Sequence, residues 1–111
     1  MSAKRLHDRI DETIHQRTRL AIMATLAGVE SLDFNELKSQ LGLTDGNLST
    51  HLSALERARY IRIAKSFRGR KPRTTVTQTA KGTAALANYV SLLQGILDQA
   101  RPKTGRSRDA P

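Results

Sequence analysis

At 111 residues with a formal charge of +9, a hydrophobic share of 38% and no cysteine, the chain reads as one small basic domain, and disulfides, zinc ribbons and thiolate metal sensing are excluded. No apolar run approaches the roughly 20 residues needed to cross a bilayer, and Met1-Ser-Ala-Lys-Arg-Leu-His-Asp8 lacks the apolar core of a secretory signal, so a cytoplasmic protein with no membrane association is expected. The charge is one-sided: residues 1–56 hold eight acids against six bases, whereas residues 57–97 hold Arg57, Arg59, Arg62, Lys65, Arg68, Arg70, Lys71, Arg73 and Lys81 and no acid, a field that attracts a polyanion.

Residues 1–7 are polar and are expected to be a flexible N-terminus. From Asp8 to Gly28, Ile10, Ile14, Ile22, Met23 and Leu26 recur at helical spacing, interrupted by the polar knot His15-Gln-Arg-Thr-Arg19. One kinked helix or two consecutive ones are expected, with Gly28 as the end signal. Ser31-Leu32 suggests a short strand. Asp33-Phe-Asn-Glu36 has capping-box spacing and opens a helix that carries Phe34, Leu37 and Leu41 inward and stops at Gly42. Thr44 caps a second helix, to about Ala58, whose Leu48, Leu52 and Leu55 share one face. Tyr60-Ile-Arg-Ile-Ala-Lys65 and Thr74-Thr-Val-Thr77 have strand patterning, with a polar loop containing Gly69 and Pro72 between them. Thr79 caps a long last helix with the stripe Leu86, Tyr89, Val90, Leu93, Ile96 and Leu97, widened by Leu92. Residues 8–100 are thus expected to form the domain, and 101–111 a disordered basic tail.

Two helices joined by Leu-Gly-Leu-Thr form a helix-turn-helix, and a basic hairpin behind it makes a wing. The expected fold is mainly α with a small β-hairpin wing, an α+β winged helix-turn-helix. At 100° steps, burying the three leucines turns Gly46, Asn47, Thr50, Ser53 and Ala54 outward and puts Ser49 and His51 on the flanks. Short hydrogen-bonding side chains of this kind suit base edges in a major groove. With the cap residue Thr44, these residues make the candidate reading surface. Lys65, Arg68, Arg70, Lys71 and Arg73 make the candidate wing contacts, suited to phosphates and to a narrow minor groove. Phe67 is either a DNA-facing wedge or, as expected here, a residue packing its own hairpin. No catalytic constellation stands out, and His7, His15 and His51 do not share a metal-ligand spacing, so no enzyme activity, metal or cofactor is implied. The width of the last stripe points to a homodimer through the first and last helices, presenting two reading helices to double-stranded DNA. A basic RNA- or ribosome-associated domain and a winged protein-interaction module are the alternatives, the first disfavoured by the scarcity of exposed aromatics for stacking.

The runs Asp33-Phe-Asn-Glu-Leu-Lys38, Leu43-Thr-Asp-Gly-Asn-Leu-Ser-Thr-His-Leu-Ser-Ala-Leu-Glu56, Lys65-Ser-Phe-Arg-Gly-Arg-Lys-Pro-Arg-Thr-Thr75 and Thr79-Ala-Lys-Gly82 resemble winged helix-turn-helix transcriptional regulators of the MarR/ArsR-like group, in a compact branch. The resemblance spans about Ile14 to Leu93. It implies a DNA-binding regulator in which Thr44–Ala58 enters the major groove, Lys65–Arg73 touches the flanking backbone or minor groove, and the terminal helices dimerise. A small organic effector in a cleft near the dimer helices is the kind of ligand it suggests. Two positions depart from the pattern. Arg59 stands where glycine is common, which predicts strain at the exit of the reading helix, and Gln78 replaces an aliphatic residue, which predicts a looser wing root.

Overall fold

The computed structural model describes residues 5–102. The outer parts of the expected flexible N-terminus and of the basic tail, residues 1–4 and 103–111, lie outside them. A 3-10 turn at Leu6–Arg9 precedes α1 (Arg17–Leu26), β1 (Leu32–Asp33), α2 (Phe34–Leu41), α3 (Asp45–Arg57), β2 (Ile61–Arg68), β3 (Lys71–Gln78) and α4 (Ala80–Ala100). The three strands form one antiparallel sheet in the order β1-β3-β2. This is the winged α+β architecture expected.

The first expected helix is in two pieces, and only the second is α-helical. The polar knot is the reason. Gln16 is the N-cap of α1, its Oε1 accepting from the Arg19 N–H at 2.8 Å, so the chain cannot run through it as helix. The segment before it is clasped instead of coiled. Asp11 accepts from the Ile14 N–H at 3.1 Å and from the Tyr60 hydroxyl, while His15 Nδ1 lies 2.8 Å from the Tyr89 hydroxyl on α4. Ile14 is fully buried beneath these contacts.

The core is built from Ile22, Met23 and Leu26 of α1, Leu37 of α2, Leu48, Leu52 and Leu55 of α3, Ile61 of β2 and Val76 of β3. Every element of the helix-turn-helix therefore contributes at least one side chain that anchors the others. The turn between α2 and α3 works as the sequence implies. Gly42 takes φ 63, which a side chain would oppose, and Thr44 Oγ1 accepts from the Asn47 N–H at 3.1 Å.

The exit from α3 is a Schellman turn, with Arg59 N–H donating to the Glu56 carbonyl at 2.9 Å and Tyr60 N–H to the Leu55 carbonyl at 3.0 Å. Arg59 holds φ 67 there, so the strain expected of a non-glycine at this place is present, at about 1–2 kcal/mol. The neighbouring start of α4 locks onto this turn: Thr79 Oγ1 donates to the Arg59 carbonyl at 2.7 Å, and Thr79 N–H to the Tyr60 carbonyl at 3.0 Å. Gly82 packs so closely that a Cβ on it would stand 2.1 Å from the Tyr60 carbonyl oxygen.

Candidate nucleic-acid interface

The second helix of the helix-turn-helix, α3, shows two chemically opposite sides. Leu48, Leu52 and Leu55 are at most 2% exposed, while Gly46, Asn47, Ser49, Thr50 and Ser53 are open to solvent and Ala54 is half-buried. No other described part of the chain covers Asn47, Thr50 or Ser53. Asp45 would place a negative charge at the N-terminal end of this surface, but Lys38 of α2 pairs with it, Nζ to Oδ1 at 2.7 Å. Lys38 was not among the sequence candidates. Its signal was an acid and a base flanking the turn, a pairing that only the turn geometry makes.

His51 departs from a free flank position. It is half-buried, and its Nδ1 lies 3.3 Å from Nη1 of Arg19, whose Nε donates to the Thr13 carbonyl at 2.6 Å. Burial first, and the Arg19 charge second, lower the pKa of His51 below its ordinary value. The contact with Arg19 ties this side of α3 to α1.

The wing is longer and more regular than the sequence suggests. In place of a polar loop between residues 65 and 74, the ladder continues through Lys65↔Thr74, Ser66↔Arg73 and Phe67↔Pro72 to Arg68↔Lys71, leaving only Gly69 and Arg70 in the turn. Gly69 has φ 64. Pro72 is tolerated because β1 pairs with β3 only at Asp33↔Thr75 and Leu32↔Val76, so the outer edge of β3 has no partner strand at Pro72. β-propensity undervalued this segment, since Lys, Arg and Pro discourage strands on average.

Five wing bases were candidates, and they differ in availability. Lys65, Arg68, Arg70 and Lys71 are exposed. Arg73 is half-buried and its Nε pairs with Asp33 Oδ1. It therefore braces the wing against the start of α2 and is not free as the other four are. Gln78 braces the wing's root. Its Nε2 donates to the Met23 carbonyl at 2.9 Å, and its Oε1 accepts from the Thr83 hydroxyl at 2.9 Å. The looser root expected of a polar residue here is replaced by a bridge from α1 to α4. Glu56 adds a third brace, accepting from the Ile63 N–H at 3.3 Å and so fixing the end of α3 to β2.

Between α3 and the wing runs a groove lined by Ser49, Leu52 and Ser53 of α3, Phe34 of α2, Ile63 and Lys65 of β2, and Thr74 of β3. The outward polar side of α3 and the first free base of the wing thus border a single concave surface. Among the described residues no group of three or more His, Cys, Asp or Glu side chains is placed to hold a metal ion, and no helix is long and apolar enough to cross a membrane.

This arrangement matches known proteins. Residues 18–97 match the family described as a winged helix DNA-binding domain. The chain belongs to that family. An uncharacterized protein of Methanocaldococcus jannaschii is 42% identical over 72 residues, covering 65% of this chain and 78% of the relative. The solved structure of a transcriptional regulator homologue from Pyrococcus horikoshii superposes with a TM-score of 0.78 at 29% identity, over 83% of this chain and 91% of that one. A MarR-family regulator from Enterococcus faecalis superposes with a TM-score of 0.69 at 24% identity, over 80% of each chain. MarR- and ArsR-family regulators are thus fold neighbours of this winged helix protein, as the sequence resemblance implied.

Proposed function

We propose that this winged helix protein is a homodimeric, sequence-specific regulator of transcription that reads double-stranded DNA with α3 in the major groove and grips the flanking backbone or minor groove with its wing. Gly46, Asn47, Thr50 and Ser53 face the base edges in this reading. Ser49, at the groove shared with Lys65, reaches the groove wall, and the exposed Thr44 stands at the helix start, where free N–H groups favour a phosphate. Lys65, Arg68, Arg70 and Lys71 supply the sequence-independent attraction. Arg73 orients the wing.

The observation that carries the reading is the open polar side of α3 set beside a cationic hairpin whose four free bases have no described acid paired to them. No Arg or Lys lies on α3 between Asp45 and Glu56, so strong guanine reading is not expected from it and discrimination falls to Asn47 and the hydroxyls, each good base contact contributing about 1–3 kcal/mol. The dimer reading rests on α4. Val90 and Leu97 are more than half exposed, and Leu86, Leu93 and Ile96 are only partly covered. A second copy would bury this stripe and space two reading helices about 34 Å apart. α1 has less to offer such a contact than expected, because Ile22, Met23 and Leu26 already fill its own core. A small organic effector would fit the cleft where Leu6, Arg9, Tyr60, Tyr89 and Leu92 meet, between the N-terminal clasp and α4.

The deciding experiment selects bound duplexes from a random DNA pool with the wild-type chain and with Asn47→Ala. A two-fold symmetric preferred site is expected for the wild type, and a relaxed preference at one position per half-site for the variant. An unchanged preferred sequence with Asn47→Ala would remove α3 from the reading role.

A further inference from the structure

Phosphate gripping leaves one feature of the wing unaccounted for. Along β2, successive side chains alternate between two faces, so Ile61, Ile63, Lys65 and Phe67 share one. Ile61 is buried in the core and Ile63 packs against it. On β3 the register partners of the last three are Val76, Thr74 and Pro72. The face that starts as hydrophobic core at Ile61 therefore ends, roughly 20 Å farther out along the strand, at an aromatic–proline pair. Phe67 is 74% exposed and Pro72 is exposed as well. The expectation that Phe67 packs its own hairpin fails: the clefts between the wing and α2 and α3 are lined by Lys65, Thr74 and Pro72 but not by Phe67, whose ring stays in solvent.

The surroundings of this apolar pair narrow what could cover it. Lys65 shares its face, Arg68 and Lys71 flank it from the opposite face and Arg70 sits in the turn, all four exposed. The acids that approach the pair, Asp33 and Asp45 across the cleft lined by Pro72, Arg68 and Lys71, are already paired with Arg73 and Lys38. A second wing tip would be repelled by its own charge. A neutral apolar surface would leave four cations desolvated without partners. The occupant that satisfies both groups has an anionic rim and an apolar interior, which describes a nucleic acid duplex: phosphates at the edges, sugars and stacked bases between them. The face bearing Phe67 is also the one that borders the α3 groove at Lys65, so a duplex docked on α3 lies on the same side of the sheet as Phe67.

We propose that Phe67, backed by Pro72, is an apolar wedge that enters the minor groove beside the sequence read by α3, leans between two base pairs and bends the duplex. Arg68, Arg70 and Lys71 hold the phosphates on either side. This rests on the DNA-reading function proposed above and adds a specificity-determining residue to it. Unstacking one step costs least at flexible pyrimidine–purine steps. The protein then favours such a step next to each half-site, at a position where it makes no hydrogen bond to a base.

The test uses the full chain and a duplex recovered from the random pool, labelled with a dye at each end. Affinity is measured at several salt concentrations and bending by energy transfer, for the wild type, Phe67→Ala, Phe67→Leu and Arg70→Ala. Phe67→Ala is expected to bind about tenfold or more weakly, with an unchanged salt slope and a straighter duplex, and to melt at the wild-type temperature. Phe67→Leu keeps most of the bend. Arg70→Ala flattens the salt slope and keeps the bend. The wedge is refuted if the wild type leaves the duplex straight, if Phe67→Ala binds and bends like the wild type, or if Phe67→Ala loses affinity mainly for a single-stranded competitor, which would make the ring a stacking platform for unpaired bases. A wild type that binds no duplex at low salt would sink the regulator reading itself, a result distinct from a loss confined to Phe67.

Discussion

The root and the tip of the wing are one hairpin with opposite physics. At the root, Ile61 and Val76 are buried, Gln78 bridges α1 and α4, Arg73 pairs with Asp33, and Thr79 and Gly82 lock onto the turn after α3. At the tip, from Lys65 to Lys71, every residue is exposed and held only by the ladder. The root spends its side chains on the fold, so its position relative to α3 is fixed. The tip leaves its side chains unspent, which is what a surface waiting for a partner looks like. A change at the root should alter folding and a change at the tip should alter binding.

The largest expected effect is at the root. Gly82→Ala puts a methyl group into the Tyr60 carbonyl, and since that neighbour is backbone, α4 must shift; a loss of about 3 kcal/mol in denaturant unfolding is expected. Gly95→Ala in the same helix meets nothing within 4 Å and should instead gain up to about 1 kcal/mol. Equal effects at both glycines would erase the distinction drawn for the root.

At the tip, Arg70→Ala should leave the melting curve untouched and weaken binding to all duplexes alike. The slope of log affinity against log salt should fall by about 0.9, one phosphate contact. A change in sequence preference with Arg70→Ala would mean that the tip reads bases. A smaller effect returns to the root: Arg59→Gly relieves the positive φ and should stabilise by about 0.5–1 kcal/mol, the glycine's extra freedom in the unfolded chain taking back part of the relief.

The smallest effect concerns the side of α3 that faces α1. His51 has a lowered pKa when folded, so the unfolded chain takes up the proton first. Its contribution to stability is complete above the ordinary value of 6.5 and is lost as pH falls from there through the folded value. His51→Gln should remove that part of the decline, read from urea midpoints across the window. Tyr60 behaves in the opposite sense. Burial first, then its bond to Asp11, raise its pKa from 10.0 to about 12, so its contribution is complete below pH 10 and lost as pH rises toward 12. Asp11→Asn should shrink that alkaline loss.

Much of the fold could be read along the chain. The cap at Thr44, the stop at Gly42, the three leucines of α3 and the cap at Thr79 are local signals, each decided by residues within a turn or two, and all stand where they were expected. Local reasoning misjudged the N-terminal piece, where apolar spacing continued across a residue that caps the next helix. It also ended the strands too early, because cross-strand pairing sustains a run that propensity disfavours. For the candidate site, the outward side of α3 followed from helical geometry alone. The status of individual wing residues did not.

Residue order alone was enough to set which segments coil, where they start and stop, and that the positive charge gathers on one hairpin, because periodicity, capping and charge density are properties of neighbours in the chain. Which of those charges stay free, that Arg73 is held by an acid 40 positions away and Gln78 by a carbonyl 55 positions away, and that Phe67 stays in solvent, depended on the assembled molecule. A side chain's partner is set by three-dimensional proximity, and packing brings together atoms whose separation in sequence carries no signal.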